Sequence, residues 1–277
     1  MDKLILSVAT TGSRTSRAQT PFVPISPEEI AEQAIACHAA GAAIVHIHVR
    51  DDEGRVTCDP ARYARVAEIV RASDCPVIVN MSTGGNAGLM SDEDRMSPVR
   101  LSPEIASFDA GSVNFGDGVF VNSPSFLQTL AERMDEYRVK PEIECFESGM
   151  IENAKRLIDR GLLKPPYWFQ FVLGVRGGAP ATAAQLIHMV NQLPPNSHWS
   201  VCAIGRAQLP MNMLAIAMGG HARTGLEDNI YYSYRVLAEG NAPLVARLAR
   251  IAHEADRELA TPDEVRELLG IEPHGRA

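Results

Sequence analysis

Short apolar runs rich in strand-forming residues recur along the chain, and stretches with helical spacing separate them. The expected strands are Leu4–Ala9, Ala43–Val49, Pro76–Met81, Ile105–Ala110, Glu142–Phe146, Tyr167–Leu173, Trp199–Ala203 and a weaker one near Gly220–Arg223. Several are almost continuously apolar, the pattern of parallel strands covered on both faces. Between them lie amphipathic stretches such as PEEIAEQAIACHAAG, DPARYARVAEIVRAS, SFLQTLAERMDEY, MIENAKRLIDRG and TAAQLIHMVNQL. The first opens on Ser26 and Pro27, suited to the N-cap and first helical positions, and closes on Gly41, suited to a left-handed exit. A long helix (Tyr231–Ala255) and a short one (Pro262–Leu269) are expected after the last strand, with a frayed tail EPHGRA.

Strand and helix alternating about eight times imply a parallel sheet. Closed on itself, that sheet is a (β/α)8 TIM barrel, an α/β fold that takes residues 1–277 as one catalytic domain with extra C-terminal helices. An open doubly wound sheet is the second reading, but no G-x-G-x-x-G follows the first strand. The composition, 45% hydrophobic and 22% charged, is that of a globular chain able to bury a core. A net charge of -8 without a Lys/Arg run argues against nucleic acid or an anionic membrane as partner. Five scattered cysteines with no C-x-x-C pair fit reduced thiols in the cytoplasm. The opening MDKLILSVA is too short for a signal sequence, and no later stretch is long and apolar enough to span a bilayer.

Polar residues gather just after each strand, where a barrel carries its active site. His46 and His48 lie two apart on a strand, so both face one side, the barrel interior. Two imidazoles side by side at a strand end suit a divalent metal such as zinc. The plainer alternative is one core histidine beside one hydrogen-bonded rim residue. A catalytic metal needs a further protein ligand, and GLEDN after the last strand offers Glu227 or Asp228. Strand eight closes against strand one, which puts that loop on the same rim. Equally, these two acids would suit the first turn of a following helix. Ser82 and the glycine pair ending at Gly85 suit a carboxylate or phosphate, or a plain turn. The GVRGG loop likewise suits a large ligand such as a nucleotide, or a plain glycine-rich turn. Arg206 and Arg223 follow strands and are candidate anion binders, though exposed arginines are common.

Taken together, HIHVRDDEGR, STGG, GSVNFGDGVFVNSP, ESGMI, QFVLGVRGG, IGRAQLP, GGHARTGLEDNIYY and ATPDEVRELLG resemble the β-keto acid cleavage enzymes over nearly the whole chain. The resemblance implies a zinc-dependent, usually tetrameric barrel that turns a β-keto acid and acetyl-CoA into acetoacetate and a new acyl-CoA. It implies His46, His48 and Glu227 as ligands of one Zn2+ per subunit. Asp228 and Arg223, with Ser82, are implied as the group that takes the substrate's proton and holds its carboxylate. Glu144 matches a strand-five glutamate facing the site, Gly85 belongs to the substrate-binding turn, and Ser107 stands where the family has threonine.

The chemistry is coherent: a metal shared by the C1 carboxylate and C3 ketone acidifies the C2 protons, and retro-Claisen cleavage follows through the enolate. No protein nucleophile is needed. One departure bears on the substrate. Members acting on an amino-bearing substrate place a glutamate two residues after the first-strand TG, where this chain has Arg14. A guanidinium there reverses the preferred charge, pointing to a distal carboxylate of the 3-oxoadipate or 3-oxoglutarate type. Arg14 turned to solvent or to CoA phosphates would leave that preference open. The competing readings are another metal-dependent hydrolase or retro-aldolase using metal-bound water, and a silent ligand-binding barrel.

Overall fold

A computed structural model of the chain describes residues 2–85 and 90–272. Eight parallel strands close into a barrel: β1 (Leu6–Ala9), β2 (Ile44–Ile47), β3 (Ile78–Met81), β4 (Ile105–Asp109), β5 (Lys140–Cys145), β6 (Tyr167–Leu173), β7 (Ser197–Ala203) and β8 (His221–Thr224). Neighbours in sequence are neighbours in space, and β8 pairs with β1 to close the ring. The helices follow their strands: α1 (Pro27–Ala39), α2 (Pro60–Ala72), a short α3 (Asp92–Met96), α4 (Pro124–Glu136), α5 (Ser148–Asp159), α6 (Ala183–Val190), α7 (Gln208–Ala217), α8 (Ala242–Glu254) and α9 (Pro262–Leu269). The expected TIM barrel is the observed fold, and the weak eighth strand is real. At α1, Ser26 and Glu29 form a reciprocal capping box with Pro27 at the start, and Gly41 takes positive φ just past the end.

One expectation changes, and one helix is added. The segment Tyr231–Ala255 is not one helix: Tyr231–Ser233 and Val236–Leu237 form a hairpin, and α8 begins at Ala242. The physical reason is local, since aromatic and β-branched residues fill 230–236, Gly240 takes a φ of 122°, and Pro243 is tolerated only in a first helical turn. The almost uniformly apolar α7 follows β7, a helix that amphipathic spacing does not reveal. Of the tail EPHGRA, all but Glu272 lies outside the described residues.

Register sorts the side chains. His46 lies beside Ala9 of β1 and Asn80 of β3; Glu142 and Glu144 lie beside Ser107 and Asp109 of β4, and beside Trp168 and Gln170 of β6. Residues paired across a parallel sheet share a face, so this whole set points inward. At the N-terminal end the interior is apolar: Ile5, Ile44, Ile78, Ile105 and Trp168 pack with Val265 and Leu269 of α9, which plugs that end. Toward the C-terminal end the interior turns polar. On the outer face, Val8, Val45 and Ile47 pack against Ile30 and Ala34 of α1, so the strands are covered on both sides.

Leu269 is fully buried in the plug. Leu269→Ala should cost about 2–5 kcal/mol, because a lost contact and a cavity add. Urea unfolding should show that loss as a lower midpoint at unchanged slope; a midpoint equal to wild type would show that α9 does not seal the barrel.

Candidate active site

The site is assembled by β1, β2 and β8. Beyond Ile47 the β2 chain leaves the barrel ladder, and Val49–Arg50 pairs antiparallel with Val56–Thr57. This bend puts His48 above His46 on the interior face, with ring centroids 5.2 Å apart. Buried Arg50 ties the rim loops together, its Nε donating to Gly12 O at 2.9 Å and its guanidinium also to Thr15 O and Gly54 O. The turn after β8 presses on β1: a Cβ at Gly225 would stand 2.0 Å from Ala9 O, at a φ of 135°. Glycine there lets Glu227 N donate to Ala9 O at 3.2 Å and brings the Glu227 side chain across β1 to the histidines.

Glu227 therefore joins His46 and His48, and Asp228 does not. Glu227 Oε1 lies 3.5 Å from His48 Nε2, and Oε2 lies 3.8 Å from His46 Nε2. One ligand atom from each of the three falls within 4.8 Å of the others. Asp228 turns to Arg223, accepting from its Nε at 3.1 Å and NH2 at 3.2 Å. Neither acid starts a helix, because the chain from Gly225 to Asp228 is a turn and α8 begins at Ala242.

Charges explain the electrostatics. Arg223, 2% exposed, faces Asp228 and Glu227 directly and lies 3.4 Å from Glu144 and 4.0 Å from Glu142. Burial opposes its charge, but the surrounding acids, Asp228 foremost, outweigh burial and hold it protonated. Burial would raise the Glu227 carboxyl, yet His48, Arg223 and His46 hold it well below the usual range. Burial keeps His46 neutral at ordinary pH, against the pull of Glu227. Burial pushes Asp228 up despite Arg223, and burial with Asp109 pushes Glu144 far up.

These residues fit a divalent metal. Two imidazole nitrogens and one carboxylate are the donor set of an open catalytic site. Glu227 Oε2 is buried with no hydrogen-bond partner among the described residues, and the interior carries more carboxylate than Arg223 neutralises. A second grouping, His46 with Glu142 and Glu144, is less suited: the Arg223 guanidinium stands there, and Glu142 already accepts from Asn80 and Trp168.

A cavity of about 220 Å³ opens over the histidines. Ser82, Gly85, Asp109 and Glu144 line it, and Arg14 and Phe115 stand on its wall. Ser82 Oγ accepts from Gly84 N at 3.1 Å, which leaves its proton to donate. Ser107 also lines the cavity, and its hydroxyl accepts from Thr83 N at 2.9 Å and so braces the Ser82 turn. Arg14 is exposed, 4.2 Å over the Phe115 ring, and donates to Phe115 O at 3.3 Å. Phe115 belongs to a hairpin, Val113–Phe115 with Gly118–Phe120, that overhangs the site. The GVRGG loop serves this hairpin: a Cβ at Gly177 would stand 2.2 Å from Asn114 O, so the space at that glycine is filled by the hairpin backbone, not by a ligand. Arg206 is exposed after β7 and off the cavity wall.

Sequence reasoning passed over Glu142, Asn80, Asp109 and Arg50. Glu142–Ile143–Glu144 repeats the period-two pattern of His46–Ile47–His48, a signal that was there to use. The Asp109 carboxylate makes no hydrogen bond among the described residues although the residue is only 5% exposed. Burial pushes its carboxyl up to about 6, with Arg95, His48 and Arg223 opposing. A carboxyl with a raised folded pKa binds more protons folded than unfolded, so stability falls as pH rises from about 4 to about 6 and stays lost above. Asp109→Asn should thus stabilise the metal-free protein by roughly 1–3 kcal/mol near neutral pH and by little near pH ~4. Thermal unfolding at both pH values checks this; no gain in Tm at neutral pH would contradict it.

A profile of the beta-keto acid cleavage enzyme matches residues 3–271. The 3-keto-5-aminohexanoate cleavage enzyme of Fusobacterium nucleatum is 43% identical over 98% of this chain and 99% of its own length. The 3-oxoadipate:acetyl-CoA acetyltransferase of Cupriavidus necator is 38% identical over 96% of this chain and 94% of its own. The solved apo structure of ObcA has a TM-score of 0.81 at 24% identity, covering 92% of this chain, which spans 66% of that protein; this likeness concerns the fold alone.

Proposed function

The chain belongs to the beta-keto acid cleavage enzyme family, and from that premise we propose that it converts a β-keto acid and acetyl-CoA into acetoacetate and a new acyl-CoA. What supports the reading most is the meeting, at one cavity, of the His46–His48–Glu227 donor set and the buried Arg223–Asp228 pair. A Zn2+ ion held by His46, His48 and Glu227 would act as a Lewis acid toward the C1 carboxylate and C3 ketone, making the C2 protons acidic.

The chain's own residues then have definite tasks. Asp228, fixed by two hydrogen bonds from Arg223, accepts a C2 proton. Burial keeps its carboxyl basic enough for that task, while Arg223 keeps it ionised. The Ser82 hydroxyl and the turn at Gly85 hold the substrate's carboxylate. The C2 carbon attacks the acetyl thioester and the carbon–sulfur bond breaks, releasing CoA thiolate. The thiolate adds to the C3 ketone, the C2–C3 bond breaks, and C2 of acetoacetate takes the proton back from Asp228. Glu144, kept protonated by burial and by Asp109, donates a hydrogen bond to oxygen as charge develops there. Ser107 contributes by holding the Ser82 turn in place.

Arg14 on the cavity wall selects a distal carboxylate, as in 3-oxoadipate. The relatives bear names of both kinds, an amino-bearing keto acid and a keto diacid, and Arg14 is what supports the diacid for this chain. We read the enzyme as a cytoplasmic homotetramer; among the described residues no helix is long and apolar enough to cross a membrane.

Purified protein incubated with acetyl-CoA and a panel of β-keto acids should yield new acyl-CoA esters detectable by mass, fastest with keto diacids. Arg14→Glu should lower kcat/KM for diacids about 10-fold or more, an ion-pair reversal of over a kcal/mol, and spare uncharged substrates. Cleavage without acetyl-CoA would instead favour a hydrolase or retro-aldolase, and faster turnover of the amino-bearing substrate would defeat the charge assignment.

A further inference from the structure

Glu142 has no task in the reaction above, yet both its oxygens are engaged and it is 1% exposed. Oε1 accepts from Asn80 Nδ2 at 2.7 Å, and Oε2 accepts from Trp168 Nε1 at 2.8 Å. Trp168 is the register partner of Glu142 on β6, and Asn80 is the register partner of His46 on β3. Glu142 Oε1 also lies 3.9 Å from His46 Nδ1. His46 thus turns Nδ1 toward Asn80 and Glu142 and Nε2 toward Glu227.

A carboxylate can only accept, so the Asn80 amide must present its nitrogen to Glu142. Its oxygen is then left as an acceptor. That oxygen and His46 Nδ1 are both buried with no hydrogen-bond partner among the described residues, and they belong to residues side by side on adjacent strands. A neutral imidazole has one donor and one acceptor nitrogen, and the partner of one decides the state of the other.

We propose that Glu142 and Asn80 are a positioning pair that holds His46 with its proton on Nδ1, so that the lone pair sits on Nε2 and faces Glu227 and His48. Trp168 fixes the far oxygen of Glu142 and stops the carboxylate from turning away. Glu142 fixes which way the Asn80 amide faces, and Asn80 fixes the tautomer of His46. This inference rests on the reading that a divalent ion sits on His46, His48 and Glu227. Partners of this kind around a ligand histidine typically change metal affinity about 10- to 100-fold.

The test is zinc affinity of chelator-stripped protein, measured by competition with a chromophoric chelator. Glu142→Gln and Asn80→Ser should each weaken zinc binding about 10- to 100-fold while the metal-free proteins stay folded by circular dichroism. Because both act through one imidazole, the double variant should lose little beyond the larger single loss, and Glu142→Gln in a His46→Ala background should lose almost nothing more. A purely structural role would lower Tm without this dependence on His46. Folded variants that keep wild-type affinity within about twofold, or losses that simply add, overturn the proposal. If Glu142→Gln does not fold, Asn80→Ser with His46→Ala decides the matter alone. Failure of the wild-type protein to bind zinc would be a different result, one that removes the ion from the site and not merely the pair that orients its ligand.

Discussion

At the centre of the barrel a single guanidinium, Arg223, is shared among four acids that two separate stretches of backbone deliver to it. Two of those acids, Glu227 and Asp228, come from its own turn, and Glu142 and Glu144 come from β5 on the other side of the interior. Ions buried this deeply carry a desolvation penalty of several kcal/mol each, and only close, well-aligned partners offset it. Arg223 cannot be moved or neutralised without leaving acids stranded. The positions of Asp228, the proposed proton acceptor, and of Glu227, the proposed metal ligand, are both tied to it, because they are consecutive residues held by the same side chain.

The rest of the fold makes that arrangement affordable. The apolar end of the barrel, sealed by α9, holds the strands in register while the polar end carries the chemistry. Loops that reach the site are pinned by side chains whose partners are backbone carbonyls. Arg50 joins the loops after β1 and β2, and Arg95 joins Thr83 O to Val121 O and Asn122 between two phenylalanine rings. The cavity is therefore shaped by rigid neighbours, which suits a reaction whose catalysis is mostly placement of charge.

Much of this was legible in the chain. Parallel strands buried on both faces announce themselves as apolar runs, and the barrel follows from their alternation with helices. His46 and His48 stood out because histidine at period two on a strand has few structural explanations. Other features were silent for physical reasons. Glu227 and Asp228 are adjacent acids, and only the geometry of the turn after β8 separates their tasks. The period-two spacing of Glu142 and Glu144 marks an inward face, but what Glu142 does there depends on Asn80 and Trp168, distant in sequence and brought beside it by register. Residues 231–241 read as the start of a long helix by their continuity with α8, but the β-forming aromatic run and Gly240 break it there.

The central claim, that His46, His48 and Glu227 converge to hold one divalent ion beside the Arg223–Asp228 pair, can be examined by anomalous diffraction at the zinc edge from crystals grown with zinc. The account predicts one strong peak per subunit, enclosed by His46 Nε2, His48 Nε2 and the Glu227 carboxylate. A peak lodged between Glu142 and Glu144, or none within reach of the two histidines, would contradict it.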